Sequence, residues 1–434
     1  MEQSLIAAVS GIQANQIYLD VVGSNVANSN TTGYKSQSAQ FTDLLAEQIA
    51  GASAPISPNQ SAGVNAIAVG SGVRIGAVTE NLSQGALQQT NVPTDVAIQG
   101  TGYLVASQYG QTLFTRDGNL TLDGNGNLAT QGGGLIQGWQ ANAQGVVNTN
   151  APTGSVNIPS GSTMAANPTT AFTVSGNLPA WKGSGTATPI STTLNAYDSL
   201  GDAVPVTMTY TPVSGTANQW TVQGSVTSPT GVVSTLWATA PTITFDPTSG
   251  QISSVTGATT NANGSLSLPV GSMPAGYAFP AGDTWKFNFA APGTSGAVTQ
   301  YSGQQTIALS GQDGYSSGTL ASYSIGSDGV ITGAFSNGQT LAIGQLAMAT
   351  FANPSGLADQ GNLMYGQSAN SGAPLIGTPS TGGRGTLVGG ALEGSNVDLS
   401  TQLTDLIVAQ EAYQANTKVV STTAANLTAL TQMA

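Results

Sequence analysis

Apolar residues recur every seven positions at the two ends of this chain and nowhere else so regularly. Leu5, Ile12, Leu19 and Val26 mark the first run; Leu399, Leu406, Tyr413, Val420 and Leu427 mark the second. A spacing of seven keeps one face of an α-helix aligned along its length, so each run predicts a helix with one apolar stripe. Ile6, Ala8, Val9 and Val22 widen the first stripe, while Leu403 and Ala424 stand four residues after members of the second. Asp398 precedes the second run and is suited to cap it. Gln16, Gln410 and Thr417 interrupt the stripes, which are too narrow for a self-sufficient two-stranded coiled coil. Two readings remain open: one helical hairpin beside a globular body, or stripes that await neighbours from other subunits.

Between these ends the texture changes to β. Short apolar runs such as Leu113-Phe114-Thr115, Leu120-Thr121-Leu122 and Val206-Thr207-Met208-Thr209-Tyr210 are punctuated by Gly, Ser, Thr and Asn. Asp117-Gly118, Asp123-Gly124, Asn125-Gly126, Asn263-Gly264, Asp313-Gly314, Asp328-Gly329 and Asn337-Gly338 are hairpin signals. Borders follow composition: residues 51–72 are rich in Ala, Ser, Gly and Pro, residues 146–170 are poor in large apolar side chains, and Gly and Ser cluster again over 366–390. At 434 residues, the length suits about three folding units of roughly 150 each. The expected fold is a mainly β, multi-domain body of nested, discontinuous β domains, with N- and C-terminal α-helices forming a coiled-coil-like core. Its zones are a terminal helical domain (1–29 and 396–434), an extended connector (30–72 and 384–395), an inner β domain (73–168 and 299–383) and an outer β domain (169–298).

Composition narrows the chemistry. Charged residues make up 6% of the chain, against roughly 25% in ordinary soluble domains. The seven cations (Lys35, Arg74, Arg116, Lys182, Lys286, Arg384 and Lys418) are scattered, which argues against nucleic-acid binding, where phosphates need clustered positive charge. Cysteine and histidine are both absent, removing thiolate chemistry, the commonest metal ligand and the commonest general base. The N-terminus lacks the basic segment and apolar run of a secretory signal, so no cleaved leader is expected. The apolar stretch around 341–352 is broken by Gly344 and Gln345, and no segment is expected to insert in a membrane.

Motifs that could carry chemistry have simpler explanations. Gly314-Tyr315-Ser316-Ser317-Gly318 fits a hydrolase nucleophile elbow, but such a serine needs a base, and the segment lies between β signals. Asp123-Gly124-Asn125-Gly126-Asn127 begins like a calcium loop, yet Leu128 and Gly134 stand where that loop needs Gly and Glu. Asp198 and Asp202 flank Gly201 in a turn-like run. Turns account for all three, so no catalytic residue, cofactor or metal site is expected.

The run from Gly23 to Lys35 is different in kind. Asn25, Ala27, Asn28, Thr32, Gly33, Tyr34 and Lys35 resemble the signature near the N-terminus of the flagellar rod and hook axial family. Asn396 and Asp398, then Gln410, Tyr413, Gln414, Ala415, Asn416 and Lys418, are similar to that family's C-terminal signature. Ser24 and Glu411 depart from it, as do Ala424, Ala425 and Thr428 near the end. Asp313-Gly314-Tyr315, Asn353-Pro354-Ser355-Gly356-Leu357 and Tyr197-Asp198-Ser199-Leu200-Gly201 look like the body and outer domain of its hook members. The resemblance implies a structural subunit that self-assembles into a helical tube, its terminal helices lining the core, the tube serving as a flexible universal joint between rod and filament. It implies an extracellular location on the flagellum after type III export without a cleaved signal peptide. The implied partners are other copies of the chain, rod and hook–filament junction proteins, the hook cap and the export apparatus. The rivals are a distal rod subunit, which lacks a separate domain over about 170–298, and a β-rich surface adhesin, for which Trp181, Trp220 and Trp285 would converge on one exposed cleft.

Overall fold

The seven-residue spacing becomes helix at both ends: α1 spans Glu2–Ala27 and α2 spans Leu399–Met433. At a rise of 1.5 Å per residue these are about 39 and 52 Å long. Almost everything between them is β-strand, turn or loop in the computed structural model, which describes residues 2–54, 63–159, 161–261, 264–270, 276–280 and 284–433. Asn263 of the Asn263-Gly264 signal and positions 55–62 of the connector lie outside the described residues.

The chain divides into two compact units, each discontinuous in sequence. Unit 1 comprises residues 1–159, 323–333 and 342–434; unit 2 comprises 160–322 and 334–341. The second unit is thus inserted within the first, because both termini belong to unit 1.

In unit 1, α1 is followed by four strands in two antiparallel ladders. Strand β1 (Gln37–Asp43) pairs with β4 (Val73–Glu80), and β2 (Ala46–Ala50) pairs with β3 (Ile67–Gly70). The connector is therefore made of extended strands, but they fold back on each other. Next, β5 (Leu87–Gln89) and β6 (Val96–Gln99) pair antiparallel with Ala391–Glu393 and Thr386–Gly389, bringing the entry to α2 beside the exit from α1. The body's core packs Tyr103, Val105, Phe114, Trp139, Phe351 and Tyr365. Its rings meet edge to face, Phe114 on Phe351 at 4.7 Å and Tyr103 on Tyr365 at 5.7 Å, the geometry that aromatic quadrupoles favour.

Unit 2 holds two six-stranded sheets around one core. Strand Ala203–Pro212, predicted from the Val206–Tyr210 run, alternates buried and open positions along its whole length, as a half-buried strand should. Ala171–Pro179 is central in the other sheet, running parallel to Lys286–Phe289 and Val298–Tyr301 and antiparallel to Ala308–Gln312. Phe172, Tyr210, Phe245, Trp285, Phe287 and Phe289 are fully buried. A separate core of this size over the middle of the chain is the feature that distinguishes hook from distal rod in the resemblance above.

The hairpin signals divide into two groups. Asp123-Gly124 and Asn125-Gly126 turn between Leu120–Leu122 and Leu128–Thr130, and Asp328-Gly329 and Asn337-Gly338 also sit in turns between strands. Asp117-Gly118 and Asp313-Gly314 do not make hairpins. Their carboxylates bond to segments distant in sequence instead: Asp117 accepts from the Thr32 hydroxyl at 3.4 Å, and Asp313 from the backbone N–H of Thr170 and Ala171 at 2.8 and 3.0 Å.

Unbroken apolar runs do not reveal every apolar helix. By length and composition α1 is apolar enough over Gln3–Ala27 to cross a bilayer. The apolar surplus comes from Ala, Val, Ile and Leu dispersed among Gln13, Asn15, Gln16 and Asp20, so it forms no continuous run that a search for unbroken apolar stretches detects.

Candidate assembly site at the terminal helices and their junction

The two helices run antiparallel along a seam that the heptad leucines do not occupy. Asn25 meets Gln402, and Gly11 lies against Asn416, equal intervals of fourteen residues in opposite directions. The buried positions on α1 are Ala8, Gly11, Ala14, Val21, Val22 and Asn25; those on α2 are Ala409 and Thr423. A Cβ on Gly11 would stand 2.8 Å from the Asn416 amide, so the bare glycine sets how closely the helices approach. The second seam of α2 is thus Gln402, Ala409, Asn416 and Thr423, three residues after each stripe member. The expected Leu403 and Ala424, four residues after, point outward, Leu403 being 51% exposed.

Leu5, Ile12, Leu19, Val26, Leu406, Tyr413 and Val420 are half-buried on the flank of this seam. Leu399 and Leu427 are exposed, Leu427 because α2 runs on past the start of α1. Ile6, Val9 and Ile17 on α1, with Leu403, Ile407, Val408 and Val419 on α2, face outward as well. The pair therefore buries mostly small and polar side chains, with Val21 and Val22 beside them, and leaves several large apolar ones uncovered. Of the C-terminal signature, Gln410, Gln414, Ala415 and Lys418 are exposed, while Tyr413 flanks the seam and Asn416 stands in it.

The N-terminal signature builds the junction where α1 meets the connector. The amide of Asn25, 1% exposed, satisfies all its groups: it donates to the Gln37 carbonyl (2.7 Å) and Gln402 Oε1 (2.8 Å) and accepts from the Gln37 N–H (2.8 Å) and the Tyr34 hydroxyl (3.1 Å). Ala27 ends the helix, and Asn28 closes it by donating from Nδ2 to the Ser24 carbonyl at 3.0 Å. Asn396 ties in the C-terminal chain, accepting from the Ser36 N–H at 2.8 Å and donating to the Asn81 carbonyl at 2.7 Å. Asp398 caps α2, accepting from the Ser400 N–H at 3.0 Å and the Thr401 hydroxyl at 2.8 Å. Those bonds hold its carboxyl below the usual carboxylate range.

Gly33 takes a left-handed conformation (φ 72°), and a Cβ there would lie 3.1 Å from the Arg116 carbonyl oxygen. Gly33→Ala is expected to cost about 1–3 kcal/mol, from the conformation and the crowding together, read as a lowered urea midpoint at unchanged slope.

Beside it lies a buried ion pair. Lys35 Nζ stands 2.7 Å from Glu393 Oε1, with both side chains 1% exposed. The ammonium also donates to the Ser83 carbonyl at 2.8 Å, and Glu393 Oε1 accepts from the Gly85 N–H at 2.8 Å. Burial pushes the Lys35 ammonium down from its ordinary range, and the bond to Glu393 opposes that. The pattern Gly33-Tyr34-Lys35 signalled this lysine, but nothing in the sequence marked Glu393 as its partner.

An open cleft of about 630 Å³ adjoins the junction, lined among others by Tyr34, Lys35, Glu80, Asp117, Asp359 and Tyr365. Glu80 is half-buried, and desolvation raises its carboxyl above the usual range. A raised folded value means the folded state holds the proton more tightly. The charge then costs stability above that value, and nothing below the unfolded one. Glu80→Gln is therefore expected to raise the urea midpoint at neutral pH, the gain fading as pH falls through the carboxylate range. Among the described residues no acidic cluster is placed to hold a metal ion.

The remaining motifs resolve as turns. Asp123 accepts from the N–H groups of Asn125 and Asn127 and the Asn127 side-chain amide. Asp198 is buried, accepting from the N–H groups of Leu200, Asp202 and Ala278. Ser316 lies in a loop outside any strand–turn–helix, its carbonyl taken by the Asn337 amide. Trp220 and Trp285 are buried in the core of unit 2, with Trp181 packed against it, so the three present no shared exposed face for a glycan.

Sequence models of four families match successive parts of the chain. They are Flagella basal body rod protein (residues 5–35), Flagellar hook protein FlgE/F/G D1 domain (97–178), Flagellar basal body protein FlaE D2 domain (181–315) and Flagellar basal body rod FlgEFG protein C-terminal (388–433). The chain is 36% identical to the flagellar hook protein FlgE of Treponema pallidum, over 97% of each. It is 33% identical to that of Escherichia coli over 96% of each, and 31% identical to that of Borreliella burgdorferi over 97% of each. Among solved structures, the Helicobacter pylori flagellar hook protein FlgE2 aligns with 69% of this chain and 98% of its own, at 14% identity and a TM-score of 0.48, a loose likeness. With identity above 30% over nearly the whole length of several of its members, the chain belongs to the flagellar hook protein family.

Proposed function

We propose that this chain is the structural subunit of a flagellar hook, polymerising through α1 and α2 into a helical tube that bends while passing torque from rod to filament. One observation carries the reading: beside a seam that includes Gly11, Ala409 and Asn416, the helix pair turns Ile6, Val9, Ile17, Leu403, Ile407, Val408 and Val419 outward. Apolar residues aligned along one helix pair gain by burial against a neighbour. Contacts of this kind between unlike faces, repeated without closing, build an open helical polymer.

In this reading the helical zone, residues 1–29 and 396–434, lines the core of the tube. The subunit catalyses nothing, takes no cofactor and does not insert in a membrane, the apolar surface of α1 being covered by other subunits instead. It works outside the cell, leaving through the flagellar type III apparatus. Its ends meet rod and hook–filament junction proteins, and the hook cap guides growth. The family match supports a hook component that polymerises; the individual partners are proposals.

Electron microscopy of the purified chain, with and without residues 1–30 and 395–434, tests the reading. Full-length protein is expected to form tubes and the truncated form to remain dispersed. Equal polymerisation of both would remove the helices from the mechanism.

A further inference from the structure

Two of the three Asn-Gly pairs, Asn125-Gly126 and Asn337-Gly338, lie among the described residues, and both occupy turns. Asparagine before glycine is open to a reaction that needs no enzyme, because the unhindered glycine nitrogen can reach the side-chain amide carbon. The two pairs hold that nitrogen alike: the Gly126 N–H donates to the Asp123 carbonyl at 3.0 Å, and the Gly338 N–H to the Phe335 carbonyl at 2.9 Å. The asparagine side chains differ. Asn337 donates from Nδ2 to the Ser316 carbonyl at 2.8 Å and accepts from the Gln339 N–H at 3.1 Å, so its amide is tied at both ends. Asn125 is exposed, and among the described residues its side-chain amide has no hydrogen-bond partner.

We propose that Asn125 is a site of spontaneous deamidation, which converts it to aspartate and isoaspartate. In the first step the Gly126 nitrogen bonds to Asn125 Cγ, the Cγ–Nδ2 bond breaks, and the proton from the glycine nitrogen leaves with Nδ2 as ammonia. Solvent water then opens the five-membered imide. Opening at Cγ gives aspartate; opening at the backbone carbonyl gives isoaspartate, whose main chain is one methylene longer.

The turn has no room for that methylene. Gly126 is left-handed at φ 82°, its carbonyl accepts from the Ile158 N–H at 2.7 Å, and a Cβ there would stand 2.9 Å from the Ile158 carbonyl oxygen. The Asn125 carbonyl accepts from Asn157 Nδ2 at 2.7 Å. In isoaspartate that carbonyl becomes a free carboxylate and the path to Gly126 runs through Cβ and Cγ, so the two acceptors cannot both stay on their donors. The reaction therefore loosens residues 156–158, where Val156 and Ile158 are buried and the chain is about to leave unit 1.

The test uses the full-length chain kept at mildly alkaline pH, with peptide mapping by mass and methyl labelling by an isoaspartyl-specific methyltransferase. Asn125 is expected to gain one mass unit and the label about tenfold faster than Asn337, the factor that two hydrogen bonds to the side chain are worth. In the isoaspartate fraction, separated by chromatography, hydrogen exchange at the Ile158 amide is expected to quicken about tenfold. Asn125→Asp adds the charge without the methylene and is expected to leave that exchange unchanged. Equal rates at Asn125 and Asn337, or no conversion at Asn125 while the urea-unfolded chain converts, would overturn the site. Unchanged exchange at Ile158, or an equal effect in Asn125→Asp, would overturn the consequence drawn for residues 156–158.

Discussion

Glu393→Ala is expected to destabilise unit 1 by about 3–5 kcal/mol, the usual cost of leaving one member of a buried ion pair without the other. Lys35 would keep its bond to the Ser83 carbonyl but lose its counter-charge at a site closed to water. The loss should depend on pH in a definite direction. Burial already lowers the folded value of Lys35, so above that value the folded state holds fewer protons than the unfolded state and stability rises with pH. Without Glu393 the folded value drops further, and the variant should recover stability on moving from neutral pH toward the ordinary lysine range. Replacing both residues, as Lys35→Met with Glu393→Leu, should cost far less than either single truncation, because no charge remains buried. Urea titration followed at Trp139, the tryptophan in unit 1, reads these changes. A Glu393→Ala midpoint equivalent to less than about 0.5 kcal/mol would show that water reaches the pair after all.

Asn25→Ala is expected to cost about 2–4 kcal/mol, since it orphans four partners at once: both backbone groups of Gln37, the Tyr34 hydroxyl and Gln402 Oε1. The last of these is the bond that joins α1 to α2 at this end of the seam. Asn25→Asp should be worse at neutral pH than at acid pH, because a carboxylate faces two carbonyl oxygens that the amide nitrogen now serves. A double-mutant cycle with Gln402→Ala measures the helix–helix share; a coupling below about 0.3 kcal/mol would mean the bond does not hold the helices together. Tube assembly should suffer more than monomer stability, because the outer surface of the pair is in register only while the seam holds.

Several features are legible in the sequence because they are local. The heptad runs repeat within a few turns, so both helices fall where expected, and Asp398 caps α2 because an N-cap needs only the next few residues. Alternation in Val206–Tyr210 and the glycine turns at 123–126, 328–329 and 337–338 are readable for the same reason. Asp117-Gly118 and Asp313-Gly314 mislead because turn chemistry and a long-range hydrogen bond call for the same side chain. The apolar character of α1 is also hidden, since dispersed residues sum to what no single run displays.

Sequence by itself determined the helical ends, the β middle, the missing chemistry of histidine and cysteine, and a resemblance specific enough to name a family. Only the tertiary structure decided which helix faces meet, that Gly11 and Asn416 stand in the seam, that Lys35 answers Glu393, and that β2 and β3 contribute no buried residue. The division has a physical cause. Helices, turns and caps are set by neighbours a few residues away. A seam of Gly11, Ala14, Ala409 and Asn416, or a junction joining positions 25 and 402, exists only once distant segments have been brought into contact, and small or polar side chains announce no such contact in advance.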